Sequence, residues 1–244
     1  MRTGNPALND KTFRVPYAGT DSMTIGGTVN RTAILLLLVS MTAIWSWKKV
    51  MVLGDPAAMV PWMIGGAIAG FVFALITIIK KTSAPFTAPL YALSEGLFLG
   101  AISAFFELQY PGIAMQAVTL TFGTLLALLL VYKTGLIKPS ENFKLGVVAA
   151  TGGIALVYLV NIVMGFFGSG IPVVHGNGTW GIVFSVFVVI IAALNLVLDF
   201  DFIEDAAEKG APRYMEWYAA FGLLVTLVWL YIEILRLLSK LRSR

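Results

Sequence analysis

Four carboxylates stand in sequence that otherwise reads as hydrocarbon: Glu95 in SEGLFLGAIS, Asp199 and Asp201 in LNLVLDFDFIE, and Glu233 in LVWLYIEILRLL. A charged side chain at bilayer depth costs roughly 2.5–3.5 kcal/mol on insertion scales, so an acid held there faces a protein interior or a wet cavity and handles protons or cations. Asp199 and Asp201 are two residues apart, about 200° around a helix, so only one of them points into a bundle. Asp199 shares its face with Asn195 one turn earlier, and Asp201 shares its face with Asp205, which makes Asp199 the deeper candidate. Two readings stay open for this pair: an inward ion or proton site, or a solvated acidic cap at a helix end with Glu204, Asp205 and Glu208. Glu233 has two as well, a site acid or an intrahelical partner of Arg236 three residues on. Glu95 lies near mid-span and is a candidate lining residue.

The physics of paired acids is general. Two carboxylates facing each other in a low-dielectric site do not both ionise cheaply, so they share a proton and titrate as a unit. When both are charged they offer the hard oxygen ligands that calcium prefers. Calcium takes about six to eight oxygens and two carboxylates supply about four at most, so waters, carbonyls or Glu95 must complete the shell.

The elements that position these acids follow from composition. With 58% hydrophobic and 12% charged residues and a mean hydropathy of +0.86, the chain is far more apolar than a soluble domain, which is about 45–50% apolar and about 25% charged. It reads as an integral membrane protein. Apolar stretches recur near residues 32–52, 57–79, 86–106, 112–132, 143–167, 178–200 and 215–238, each close to the roughly 20 residues a helix needs to cross about 30 Å of hydrocarbon. Lipid offers no partner to free backbone groups, so each stretch is helical. The expectation is an all-α bundle of seven transmembrane helices over residues 32–240, preceded by a polar tail, residues 1–31, broken by Pro6 and Pro16.

The breaks carry turn signals: Gly54-Asp55-Pro56, Tyr110-Pro111-Gly112, Lys138-Pro139, GFFGSGIPVVHGNGTWG and EDAAEKGAP. Small residues four apart (Gly66 and Gly70, Gly96 and Gly100, Gly146 and Ala150) let helices approach closely. Asn161 and Asn195 read as interhelical hydrogen-bond glue, with Asn195 also a secondary site candidate beside Asp201. The one histidine, His175, sits in the glycine-rich loop.

Orientation follows lysine and arginine, whose excess stays cytoplasmic. Arg2, Lys11, Arg14 and Arg31 share a side with Lys80/Lys81, Lys133/Lys138/Lys144 and Lys209/Arg213, which puts the N-terminus in the cytoplasm. Seven crossings then send the C-terminus outside, against the pull of Arg236, Lys240, Arg242 and Arg244. Either the last helix inserts into a preformed bundle, or it is re-entrant and six helices span; seven is the preferred count.

Other classes fit less well. With no cysteine there is no thiolate metal site or cysteine nucleophile. Gly168-Ser169-Gly170 and His175 match no protease arrangement, and no lysine between Lys209 and Lys240 is available for a retinal-type pump. The chain is expected to be no enzyme, to need no cofactor and to bind no nucleic acid, its partners being the bilayer, calcium or other cations, and other membrane proteins. Two alternatives to a cation leak remain: a proton-coupled small-molecule exporter, which predicts saturable exchange, and a regulator of a membrane protease or other assembly, which predicts phenotypes insensitive to the acids.

The segments Leu198-Asp199, Ala207-Glu208-Lys209-Gly210, Leu230-Tyr231-Ile232-Glu233 and Gly96-Leu97-Phe98-Leu99-Gly100 together resemble the Bax inhibitor family of membrane proteins, in its YccA-like bacterial branch. The resemblance implies a seven-helix fold with the C-terminal helix central, a bacterial inner-membrane location, and a pH-sensitive calcium leak controlled by two acids, whose places Asp199 and Glu233 take. The chain departs in carrying Glu at the second place, where the family usually has Asp, and in a longer connection between the two.

Overall fold

The structure, a computed structural model, describes residues 22–54, 56–137 and 139–243. The long helices are α1 (Ile25–Leu53), α2 (Val60–Ile79), α3 (Ala84–Gln109), α4 (Ile113–Lys133), α5 (Glu141–Phe166), α7 (Thr179–Glu208) and α8 (Met215–Arg242), with a four-residue helix, α6 (Pro172–His175), before α7. Among the described residues these seven long helices are each long and apolar enough to cross a membrane. The chain is therefore all-α with seven candidate spans.

Local chemistry sets the ends. The Thr24 hydroxyl accepts the Gly27 N–H at 2.9 Å and starts α1, while Gly54, at φ 63°, ends it. Ser140 caps α5 in the same way. Such a cap satisfies a backbone donor that has no partner within the helix.

Two boundaries differ from expectation, and a third point bears on the count of crossings. First, α1 begins at Ile25, so the proposed division at 31/32 falls inside a helix; residues 1–21 lie outside the described residues. Second, α7 runs past residue 200 to Glu208. Acidic residues do not break helices, and termination waits for Gly210 at φ 66°. Third, α8 is continuous over 28 residues, about 42 Å at 1.5 Å per residue. That is the length of a full crossing, not of a re-entrant segment. It is also the most buried of the seven, with 67% of its most apolar stretch enclosed.

The chain divides into two compact units. One holds Met115–Phe202 and Thr226–Arg244; its core joins Ile154, Val188 and Ile191 to Ala150, Tyr158, Phe184, Leu194 and Trp229. The other holds the described part of Lys11–Ala114 together with Ile203–Val225. In this second unit glycine contacts draw the helices together. A Cβ on Gly96 would fall on the Val39 carbonyl and the Thr42 hydroxyl, and one on Gly100 would fall on the Ala43 carbonyl and the Ser46 hydroxyl. A Cβ on Gly66 would lie 2.7 Å from the Phe98 amide nitrogen. The third pair behaves otherwise: Gly146 faces open space, so its spacing to Ala150 marks no close approach.

The start of α1 is tied down in this same unit. Glu216 accepts from the Thr24 amide at 3.1 Å and from its hydroxyl at 3.0 Å, and its other oxygen lies 3.7 Å from Arg31. Arg31 in turn stacks over Trp217, 5.2 Å from the ring centre.

Candidate functional site

Three of the acids belong to the first unit. On α7, Asn195 and Asp199 form one inward face, 1% and 0% exposed. The Asn195 amide donates to the Thr151 hydroxyl and to the Ile191 carbonyl, both at 2.8 Å. The first of these bonds joins α7 to α5, which is the helix-to-helix role read for it. Asn161 does something else: its side-chain oxygen accepts the Ile171 amide at 3.0 Å and anchors the following loop. Since α7 continues to Glu208, Asp199 stands more than two turns inside the helix and does not cap its end. The exposed acids there are Glu204 and Glu208.

Asp201 has turned away from Asp199, as the helical angle requires. Its carboxylate meets the Lys144 ammonium at 2.7 Å, and Lys144, which also reaches Glu141 at 3.2 Å, is itself buried. Lys144 looks like loop charge in the sequence; its place in the first turn of α5, opposite α7, makes it a clamp between two helices. Removing it while keeping the acid leaves a partly buried carboxylate with its main counter-charge gone. Lys144→Met is expected to lower stability by about 1–3 kcal/mol, read as a drop in thermal midpoint in detergent, and Lys144→Met combined with Asp201→Asn to recover part of the loss.

Glu233, 1% exposed, is the most fully engaged acid. Its Oε1 accepts the Tyr158 hydroxyl at 2.8 Å, and Arg236 Nη1 lies 3.1 Å from Oε1 and 3.2 Å from Oε2. The same guanidinium donates to the Tyr158 oxygen at 2.6 Å and packs 5.1 Å from its ring centre. The i,i+3 pair with Arg236, one of the two sequence readings, is thus formed. The Glu233 carboxylate turns to Tyr158, Arg236 and Trp229. Tyr158 escaped notice in the sequence, although a tyrosine inside an apolar run needs a partner for its hydroxyl.

Glu95 belongs to the second unit, where its Oε2 would sit 2.7 Å from a Cβ placed on Gly70, so its carboxylate lies against the Gly70 face of α2. His175 ends α6; its side chain lies outside the described residues. No three His, Cys, Asp or Glu side chains gather as a metal-holding group among the described residues.

The basic C-terminus also has partners. Arg236 pairs with Glu233, the buried Lys240 donates to the carbonyls of Val174 and Gly181 at 2.8 and 3.1 Å, and Arg242 donates to Gln116 at 2.9 Å. Lys240, buried and held by these carbonyls, weighs little in the positive-inside rule, which counts charge in the flanking loops. The contact of Lys240 with Gly181 also shows that α8 ends where α7 begins, as two antiparallel crossings must.

Seven apolar helices with buried acids on the last two define a multi-pass membrane protein. A family model described as Bax inhibitor 1 like matches residues 5–243, and the chain belongs to that family. No curated protein and no solved structure matches it.

Proposed function

We propose that this protein is a pH-sensitive leak for cations, calcium among them, across a cell membrane, with its N-terminus in the cytoplasm. The observation that carries this is the burial of two carboxyl side chains, Asp199 and Glu233, on successive helices of one compact unit. Buried acids on spanning helices are costly and are kept where protons or cations must be handled. The arrangement described is then the closed state, in which Arg236 and Tyr158 hold Glu233. A proton on Glu233 abolishes its attraction for Arg236 and releases the pair, and Asp199, with the neutral carbonyl oxygen of Glu233, supplies oxygen ligands to a passing cation. Waters and backbone carbonyls complete the coordination.

The test is calcium entry into proteoliposomes across a range of pH. Asp199→Asn is expected to reduce the flux, and Glu233→Gln, which like a bound proton removes the attraction for Arg236, to hold the leak open and flatten its pH profile. If both variants match the unmodified protein in amount and profile, the acids are not the gate. Saturable exchange of a small molecule against a proton gradient would favour an exporter instead.

A further inference from the structure

A lysine near a helix end ordinarily extends its ammonium to water, because its flexible stem lets it do so cheaply. Lys240 does the opposite. Two residues before the end of α8, it is 3% exposed, and its ammonium is directed inward to two backbone oxygens, Val174 O at 2.8 Å and Gly181 O at 3.1 Å. Those oxygens are firmly placed. Val174 belongs to α6, whose preceding residue Ile171 is tied to Asn161. Gly181 is in the first turn of α7, where any side chain would strike the Gly176 carbonyl. One turn further along the Gly181 face of α7 is Ser185, 1% exposed, whose hydroxyl has no hydrogen-bond partner among the described residues. Since Cβ bonds tilt toward the helix start, this hydroxyl leans toward Gly181.

Glu233, Arg236 and Lys240 are spaced three and four apart, so they line one face of α8, with about 10 Å of helix rise between the first and the last. Each oxygen cluster along this face holds a cation belonging to the chain. Arg236 occupies the Glu233 and Tyr158 oxygens, and Lys240 occupies the Val174 and Gly181 carbonyls. Carbonyl and hydroxyl oxygens are the ligands that replace water around a hard metal cation.

We propose that the Lys240 ammonium is a tethered plug: it fills a cation site made by the Val174 and Gly181 carbonyls, with the unpartnered Ser185 hydroxyl one turn further along α7, and so closes the leak at the end formed by residues 171–181. This rests on the leak reading and adds a second barrier beyond the acids. Removing the ammonium should admit a metal cation to the vacated oxygens and raise flux at every pH, whereas the acids govern how flux varies with pH.

The absence of native cysteine makes a clean test possible. Calcium flux into proteoliposomes is compared for the unmodified protein, Lys240→Met, Lys240→Cys, and Lys240→Met combined with Asp199→Asn. Lys240→Met and Lys240→Cys are expected to leak about tenfold faster or more, since two charge-assisted hydrogen bonds are lost together. Treating Lys240→Cys with an aminoethyl thiosulfonate, which restores an ammonium on a chain of similar length, should close the leak; a neutral methyl thiosulfonate should not. Closure by the charged reagent alone also shows that the variant is folded.

Equal closure by both reagents, or no rise in flux in either single variant while the unmodified protein leaks through Asp199, overturns the plug and leaves the leak reading standing. A rise in Lys240→Met that survives Asp199→Asn upholds the plug and removes the acids from the gate. No flux in any sample overturns both.

Discussion

Gly100→Val is expected to abolish production of folded protein, the largest effect of any single substitution considered. The Gly100 Cα lies so close to α1 that even a methyl group would fall on the Ala43 carbonyl and the Ser46 hydroxyl. Neither obstacle is a movable side-chain tip: one is backbone, and Ser46 is fully buried with its hydroxyl donating to that same carbonyl at 3.2 Å. Overpacking of a well-filled interior costs typically about 1–3 kcal/mol when side chains can adjust. Here a whole helix must move, and the cost runs to several such contacts because Gly96 would lose its fit with Val39 and Thr42 at the same time. In lipid no hydrophobic force compensates, since helix association depends on this close approach. The measurement is the yield of monodisperse protein on size exclusion and its thermal midpoint. Gly146→Ala, at a glycine facing open space, is the matched control and should stay within about 1 kcal/mol of the original. Equal yields from Gly100→Val and the control would show that the close approach of α1 to α3 is not what holds this unit.

The second large effect is expected at Arg236. Breaking a buried ion pair by removing one partner costs about 3–5 kcal/mol, because the remaining charge is stranded. Arg236→Met leaves Glu233, in a position 1% exposed, with only neutral hydrogen-bond donors beside it, the Tyr158 hydroxyl and the Trp229 side chain. The lower end of the range applies, about 3 kcal/mol, since the Arg236 side chain keeps 34% of its exposure and water screens the pair in part. Arg236→Met combined with Glu233→Gln should recover most of that loss, a neutral amide needing no counter-charge. Denaturant or thermal unfolding of Arg236→Met, Glu233→Gln and the double variant against the original in one detergent gives the coupling directly. An Arg236→Met protein as stable as the original would mean that Glu233 is already neutral or solvated, and the closed state described for the leak would have to be abandoned.

What could be read in the sequence divides along a physical line. Helix number and the inward face of Asn195 and Asp199 follow from apolar run length and from the angle per residue, both local properties. The Glu233 and Arg236 pair is likewise local, three residues apart on one helix. The partners that depend on which helices become neighbours were out of reach: Lys144 for Asp201, Tyr158 for Glu233, Glu216 for Thr24 and Arg31. Gly146 and Ala150 show the limit from the other side, since small residues permit close approach without saying that a neighbour is present. The extension of α7 to Glu208 escaped for a related reason. A drop in hydropathy marks where a helix leaves lipid, which is not where the backbone stops being helical.

The tie between Thr24 and Glu216 spans 192 positions, and that separation governs the order of events at the ribosome. At about 5–20 residues per second, roughly 10–40 s pass between translation of the first partner and of the second. Throughout that interval Arg31 has no Glu216 beside it and stands as an unpaired positive charge in the first helix. Only once the last helix has been made is that charge absorbed into the protein.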